Sequence, residues 1–156
     1  LPDAVLLCLD TLKVGESEGE LCDARLAWIK GQLGARPDTP AYLFMHHPPV
    51  ELGLPAQDPS MPDGARLMDL LAKFPNVRHI FAGHVHRPCY AVVKGIPVAT
   101  MRSVLLQAPG PWPAWDWDTF APAREAPAIG VLGIDGADVR LQYVEYCDAD
   151  YGIVTS

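Results

Sequence analysis

Two short apolar runs constrain this chain most. Ala41–Met45 lies between Pro40 and Pro48-Pro49, and Val77–Ala82 is closed by Gly83. Each is too short for an ordinary helix, and the flanking prolines and glycine cannot extend a ladder, so both read as buried strands. Between them, residues 64–74 carry Leu67, Leu70, Leu71 and Phe74 on one helical face and stop at Pro75-Asn76. Strand, helix and strand in that order form a crossover unit. Its right-handed connection makes the strands parallel, so both carboxyl ends open on one edge of the sheet. The chain is therefore expected to be α/β with a parallel core, turning to consecutive antiparallel strands further on.

Residues 4–9 read as another buried strand, followed by a Gly/Glu-rich loop at 15–20. Next comes an amphipathic helix carrying Leu21, Leu26, Trp28, Ile29 and Leu33, ended by Gly34 and Pro37. Tyr90–Val93 and residues 97–99 form a hairpin around Lys94-Gly95, and residues 129–134 and 139–146 form a second through Asp135-Gly136. Residues 109–127 hold five prolines and three tryptophans, too many breakers for regular structure and too many aromatics for an idle linker. An ordered lobe or interface loop whose tryptophans cap the core is the expectation there.

The length of 156 residues fits one domain, and 49% hydrophobic with 20% charged residues excludes a disordered chain. Twelve basic against 19 acidic residues leave a net charge of −7, which repels a polyphosphate backbone and argues against non-specific nucleic-acid binding. No apolar run approaches the roughly 18 to 20 residues of a membrane span. The chain opens at Leu1 almost directly in a strand pattern, with no basic stretch before it, and is expected to be a portion of something longer. Cys8, Cys22, Cys89 and Cys147 form no C-x-x-C pair, so free thiols in the cytoplasm are expected rather than a zinc knuckle or disulfide framework.

All five histidines, His46, His47, His79, His84 and His86, fall between the first strand end and the segment just past the second. His46 and the His84/His86 pair can converge at the shared edge. In an extended segment His84 and His86 face one cavity and Val85 turns into the core, while Gly83 lets the backbone approach a ligand. Converging imidazoles suit Zn²⁺, Fe or Mn²⁺. His79, inside its strand, reads as a hydrogen-bonded structural histidine. His47 points away from His46 in an extended chain, which leaves it a supporting or substrate-contacting role.

Leu43-Phe44-Met45-His46-His47-Pro48-Pro49 followed by Phe81-Ala82-Gly83-His84-Val85-His86 resembles the C-terminal half of the calcineurin-like metallophosphoesterases. Within them it is most similar to the bacterial cyclic-nucleotide phosphodiesterase and glycerophosphodiesterase branch. The likeness takes in Leu9-Asp10-Thr11, Gly19-Glu20-Leu21 with Leu26 and Trp28, and Gly95-Ile96-Pro97 with Ser103 and Gln107, and covers roughly residues 4–107.

The resemblance implies an α/β/β/α sandwich holding two metals, Fe, Mn, Zn or Co, bridged by a hydroxide that attacks a small phosphodiester in line. By that resemblance His46 and His84 would share the second metal and His86 would bind the first, while His47, read from its place in the chain, is expected to serve catalysis from beside them. A homodimer through the C-terminal hairpin is also implied. The family's remaining ligand motifs, D-x-H, G-D and G-N-H-[DE], are absent from this chain, whose single asparagine is Asn76. They would come from an N-terminal half of the same enzyme. The bound metals would also form a positive focus within an acidic protein. Two other readings stand beside this one: a non-catalytic assembly module with vestigial ligands, and a self-contained three-histidine zinc hydrolase lacking a neighbouring Glu as base.

Overall fold

A computed structural model describes residues 1, 3–135 and 138–145. Among these, β1 (Val5–Cys8), α1 (Asp23–Ala35), β2 (Ala41–Met45), α2 (Gly64–Leu71) and β3 (Val77–Ala82) come first. They are followed by β4 (Tyr90–Val93), β5 (Ile96–Thr100), β6 (Ala128–Asp135) and β7 (Asp138–Glu145). Five strands form one sheet in the order β1-β2-β3-β5-β4, and β6 pairs with β7 in a second. The β1–β2, β2–β3 and β3–β5 ladders are parallel and β4–β5 is antiparallel. The crossover expected from the two apolar runs is therefore present, with β2 and β3 as neighbours.

The central strands are buried on both faces, as a parallel sheet covered on two sides requires. On one face Leu7, Leu43, Ile80 and Val98 pack with Ile29 and Leu33 of α1 and Leu67 and Leu71 of α2. On the other, Tyr42, Phe81 and Ala99 meet Leu132 and Ile134 of β6 and Val139 and Leu141 of β7. The described residues thus supply helix, sheet and sheet layers, an α/β arrangement consistent with a portion of a metallophosphoesterase sandwich. The second hairpin covers only part of that face, and Leu6 and Cys8 of β1 stay exposed.

Helix α2 is shorter than its sequence pattern. Regular α-helix ends at Leu71, and the chain tightens through Lys73 N–H to Leu70 O and Phe74 N–H to Leu71 O, each a three-residue closure. Pro75 is the cause, because its ring pushes the preceding Phe74 out of the helical region. Between β4 and β5, Lys94 (φ 52°) and Gly95 (φ 77°) are both left-handed, as a two-residue type I′ hairpin turn demands. The Asp135-Gly136 turn of the second hairpin, and its continuation to Tyr146, reach outside the described residues.

Residues 109–127 contain no helix or strand, apart from an isolated bridge between Gln107 and Ala123. The expectation that the tryptophans cap the core is corrected. Trp112 is 84% exposed and Trp117 65%, and Trp115, Trp117 and Phe120 cluster with one another at centroid distances of 5.4–5.7 Å. The Trp115 ring is tied within the segment as well, its Nε1–H donating to Gly110 O at 3.2 Å.

Candidate metal centre

Parallel register builds the site. Met45 pairs with Ala82 at the ends of β2 and β3, so the next residues, His46 and Gly83, stand side by side. The Gly83 N–H donates to His46 O at 2.9 Å, carrying the ladder one step beyond the strands. A side chain at Gly83 would meet only the His46 ring and carbonyl, at 3.5 Å or more, so the edge is open there rather than crowded.

Past Gly83 the chain is not extended. His84 (φ 65°) and His86 (φ 51°) both occupy the left-handed region, where histidine is enriched over most other residues. Val85 is fully buried, as the sequence predicts, but through this alternation rather than a strand pleat. The different geometry changes which imidazoles meet. Among the described residues, His46, His47 and His84 are the group whose potential ligand atoms lie within 4.8 Å of one another, and His86 is outside it. His86 remains near enough for its charge to depress the pKa of both His46 and His84.

His46 Nε2 and His84 Nδ1 are 3.3 Å apart. Two nitrogens at about 2.0–2.1 Å from one tetrahedral zinc stand about 3.4 Å apart, so this pair fits a shared cation with little rearrangement. Desolvation, followed by the charges of His47, His46 and His86, pushes His84 down to about 4. Desolvation chiefly lowers His46 and His47 as well. Near neutrality His46 and His84 are uncharged and can offer lone pairs, the form that a metal cation requires. No carboxylate belongs to the group, so the donor set fits two shared nitrogens of a cation whose other ligands lie elsewhere.

His47 sits deeper, at 7% exposure, with Nδ1 2.8 Å from Thr11 Oγ1 and Nε2 3.0 Å from Ser17 O. These partners lie on the loop after β1, and no role was read for them in the sequence. The signal available was Gly19, in the Gly/Glu-rich loop: a Cβ there would come within 2.5 Å of the His47 ring. His79 is a satisfied core histidine, stacked on Phe81 with Nδ1 2.8 Å from Ile80 O.

The segment after the histidines is fastened beside them. Ala108 N–H donates to His86 O at 3.2 Å, and Glu125 bridges Arg87 (3.0 Å) and Arg102 (3.5 Å).

No family model matches the chain. It is 36% identical over 105 residues to the glycerophosphodiester phosphodiesterase GpdQ of Enterobacter lignolyticus, covering 67% of this chain and 38% of that protein. It is 37% identical over 110 residues to a probable cyclic nucleotide phosphodiesterase of Rhodopseudomonas palustris, covering 67% and 39%. It is also 30% identical over 144 residues to the 3',5'-cyclic adenosine monophosphate phosphodiesterase CpdA of Escherichia coli K12, covering 88% and 52%. A dimetal phosphatase from Danio rerio aligns in structure with a TM-score of 0.47 at 20% identity, over 54% of this chain and 27% of that one. The chain spans between 38% and 52% of the length of these curated relatives. It is a relative of the bacterial glycerophosphodiester and cyclic nucleotide phosphodiesterases, similar to a part of their length and consistent with the calcineurin-like metallophosphoesterase superfamily that its histidine motifs resemble.

Proposed function

We propose that the protein containing this chain is a metal-dependent phosphodiesterase acting on small diesters of the cyclic nucleotide or glycerophosphodiester type, and that this chain contributes the histidine side of its centre. The observation that carries the reading is the 3.3 Å approach of His46 Nε2 and His84 Nδ1 at the open carboxyl edge of β2 and β3. Divalent cations, when bound, would supply charge neutralisation at the phosphoryl oxygens and lower the pKa of a bound water toward neutrality. His46 and His84 would hold one cation, and His86, two residues along, would serve a second. His47 supports them. Since the imidazoles arrive uncharged, a cation meets no repulsion on entering.

The carboxylate ligands would come from an N-terminal half of the same enzyme. The apolar face of β1 that the second hairpin leaves uncovered, with Leu6 42% exposed, supports a further segment packing there. Exposed Ile129, Val131 and Val144 on the hairpin support a homodimer. Cys8, Cys22 and Cys89 are free thiols, which supports a cytoplasmic setting.

The test pairs metal content after dialysis with hydrolysis of bis(p-nitrophenyl) phosphate in added Mn²⁺, on this chain alone and on the longer protein. The reading expects about two metals and turnover only in the longer protein, with both lost in His84→Ala. A longer protein that neither retains metal nor cleaves the diester overturns it and favours an assembly module.

A further inference from the structure

We propose that Thr11, Ser17 and Gly19 form a clamp that fixes the tautomer and orientation of His47, and that His47 is a positioning residue for the His46–His84 pair rather than a ligand. This rests on the metal-centre reading above. Ser17 O is a carbonyl and can only accept, so its 3.0 Å contact requires the proton to be on His47 Nε2. A neutral imidazole carries one proton, which leaves Nδ1 as a lone pair. The Thr11 hydroxyl at 2.8 Å therefore donates to it. The same Thr11 oxygen accepts the His47 backbone N–H at 3.4 Å, so one hydroxyl holds both ring and main chain.

Burial makes these contacts hard to replace. Thr11 is 2% exposed and His47 7%, which leaves little room for water to satisfy either group. Gly19 closes the clamp from the side, because a Cβ there would stand 2.5 Å from Cγ and 2.6 Å from Nδ1 of the ring. The loop is itself tied down: Gly19 N–H donates to Ser60 O at 2.9 Å, and Glu20 N–H to Thr11 O at 3.1 Å.

On its other side the His47 ring lies 4.7 Å from His46, edge-on at 89°, and 4.6 Å from His84, tilted at 48°. With Nδ1 accepting from Thr11 and Nε2–H given to Ser17, His47 has no lone pair left for a cation. What it supplies is a fixed wall against which both neighbouring imidazoles are oriented.

The experiment is long-range ¹H–¹⁵N NMR of histidine-labelled protein at neutral pH, which separates protonated from bare ring nitrogens. The expected spectrum shows His47 in one tautomer, bare at Nδ1 and protonated at Nε2. On adding Zn²⁺, His46 and His84 nitrogen shifts move while the His47 protonation pattern stays. Thr11→Val, which keeps the shape and removes the hydroxyl, is expected to keep the Nε2 proton that Ser17 holds but to shift the Nδ1 resonance toward that of a ring nitrogen with no donor, and Thr11→Ser to restore it. A His47 protonated at Nδ1, a tautomer average in the unsubstituted protein, or direct zinc coordination by His47 overturns the proposal. The unsubstituted spectrum decides even where Thr11→Val fails to fold. Because the tautomer is read without metal or substrate, a longer protein that shows it yet cleaves no diester overturns the phosphodiesterase reading and leaves the clamp standing.

Discussion

The histidine edge and the tryptophan-rich segment are both dense in uncommon residues, and the protein treats them in opposite ways. His46 and Gly83 are set by ladder register, because each follows the last paired residue of a central parallel strand. Their spacing is inherited from backbone hydrogen bonds, and three imidazoles converge. Residues 109–127 have no ladder to inherit from, and their rings gather locally while Trp112 and Trp117 stay in water. Clustering in sequence becomes convergence at a sheet edge where regular structure sets the distances. Elsewhere it becomes a local knot, held by side-chain ties such as Glu125 to Arg87 and Arg102.

The sharpest way to break this contrast is to damage the scaffold beneath the histidines. Leu43 is fully buried in β2, two residues before its end. Leu43→Ala is expected to cost about 2–5 kcal/mol in urea unfolding. A cost below 1 kcal/mol would mean that β2 does not anchor the edge. Of smaller effect, Glu125→Gln leaves two mostly buried guanidinium groups without their shared carboxylate. A loss of about 1–3 kcal/mol is expected, with faster proteolysis inside 109–127 and unaltered His46–His84 contacts in NMR. Cleavage outside that segment would show that the tie serves another element.

Acid sharpens the comparison further. Histidine ordinarily titrates near 6.5, and His84 in the fold is held down to about 4. Between these values the unfolded chain binds more protons than the folded one, so stability rises with pH across that window and is lost as pH falls through it. Melting temperature followed from pH 7 to 4 is expected to fall, and His84→Ala to flatten part of the slope. An unchanged slope in the variant would assign the acid sensitivity elsewhere. Smallest of all is Trp112→Ala, expected to change stability by less than about 0.5 kcal/mol, since its ring is 84% exposed. A larger loss would place Trp112 in a contact that the isolated chain does not make.

The crossover was legible because short apolar runs bounded by proline leave few alternatives, and β2, β3 and β4 fall where their sequence patterns place them. Convergence of His46 and His84 followed from the parallel connection. Less legible was His86, since strand alternation was read into a segment whose two histidines take left-handed conformations. That preference arises from local turn geometry and leaves no periodic trace. Thr11, quoted only within the likeness, and Ser17 carried no legible role, because His47 lies 36 and 30 residues away and only the folded loop brings hydroxyl and carbonyl to its ring.

The short His46–His84 separation also bears on affinity. Two side chains already held within 3.3 Å have surrendered much of their rotational freedom during folding. A cation captured by flexible histidines must order each of them, at about 0.5–1.5 kcal/mol per side chain. In the proposed centre part of that ordering would precede the encounter, so cation affinity would depend on how firmly the sheet edge holds the two rings as well as on the ligand atoms themselves.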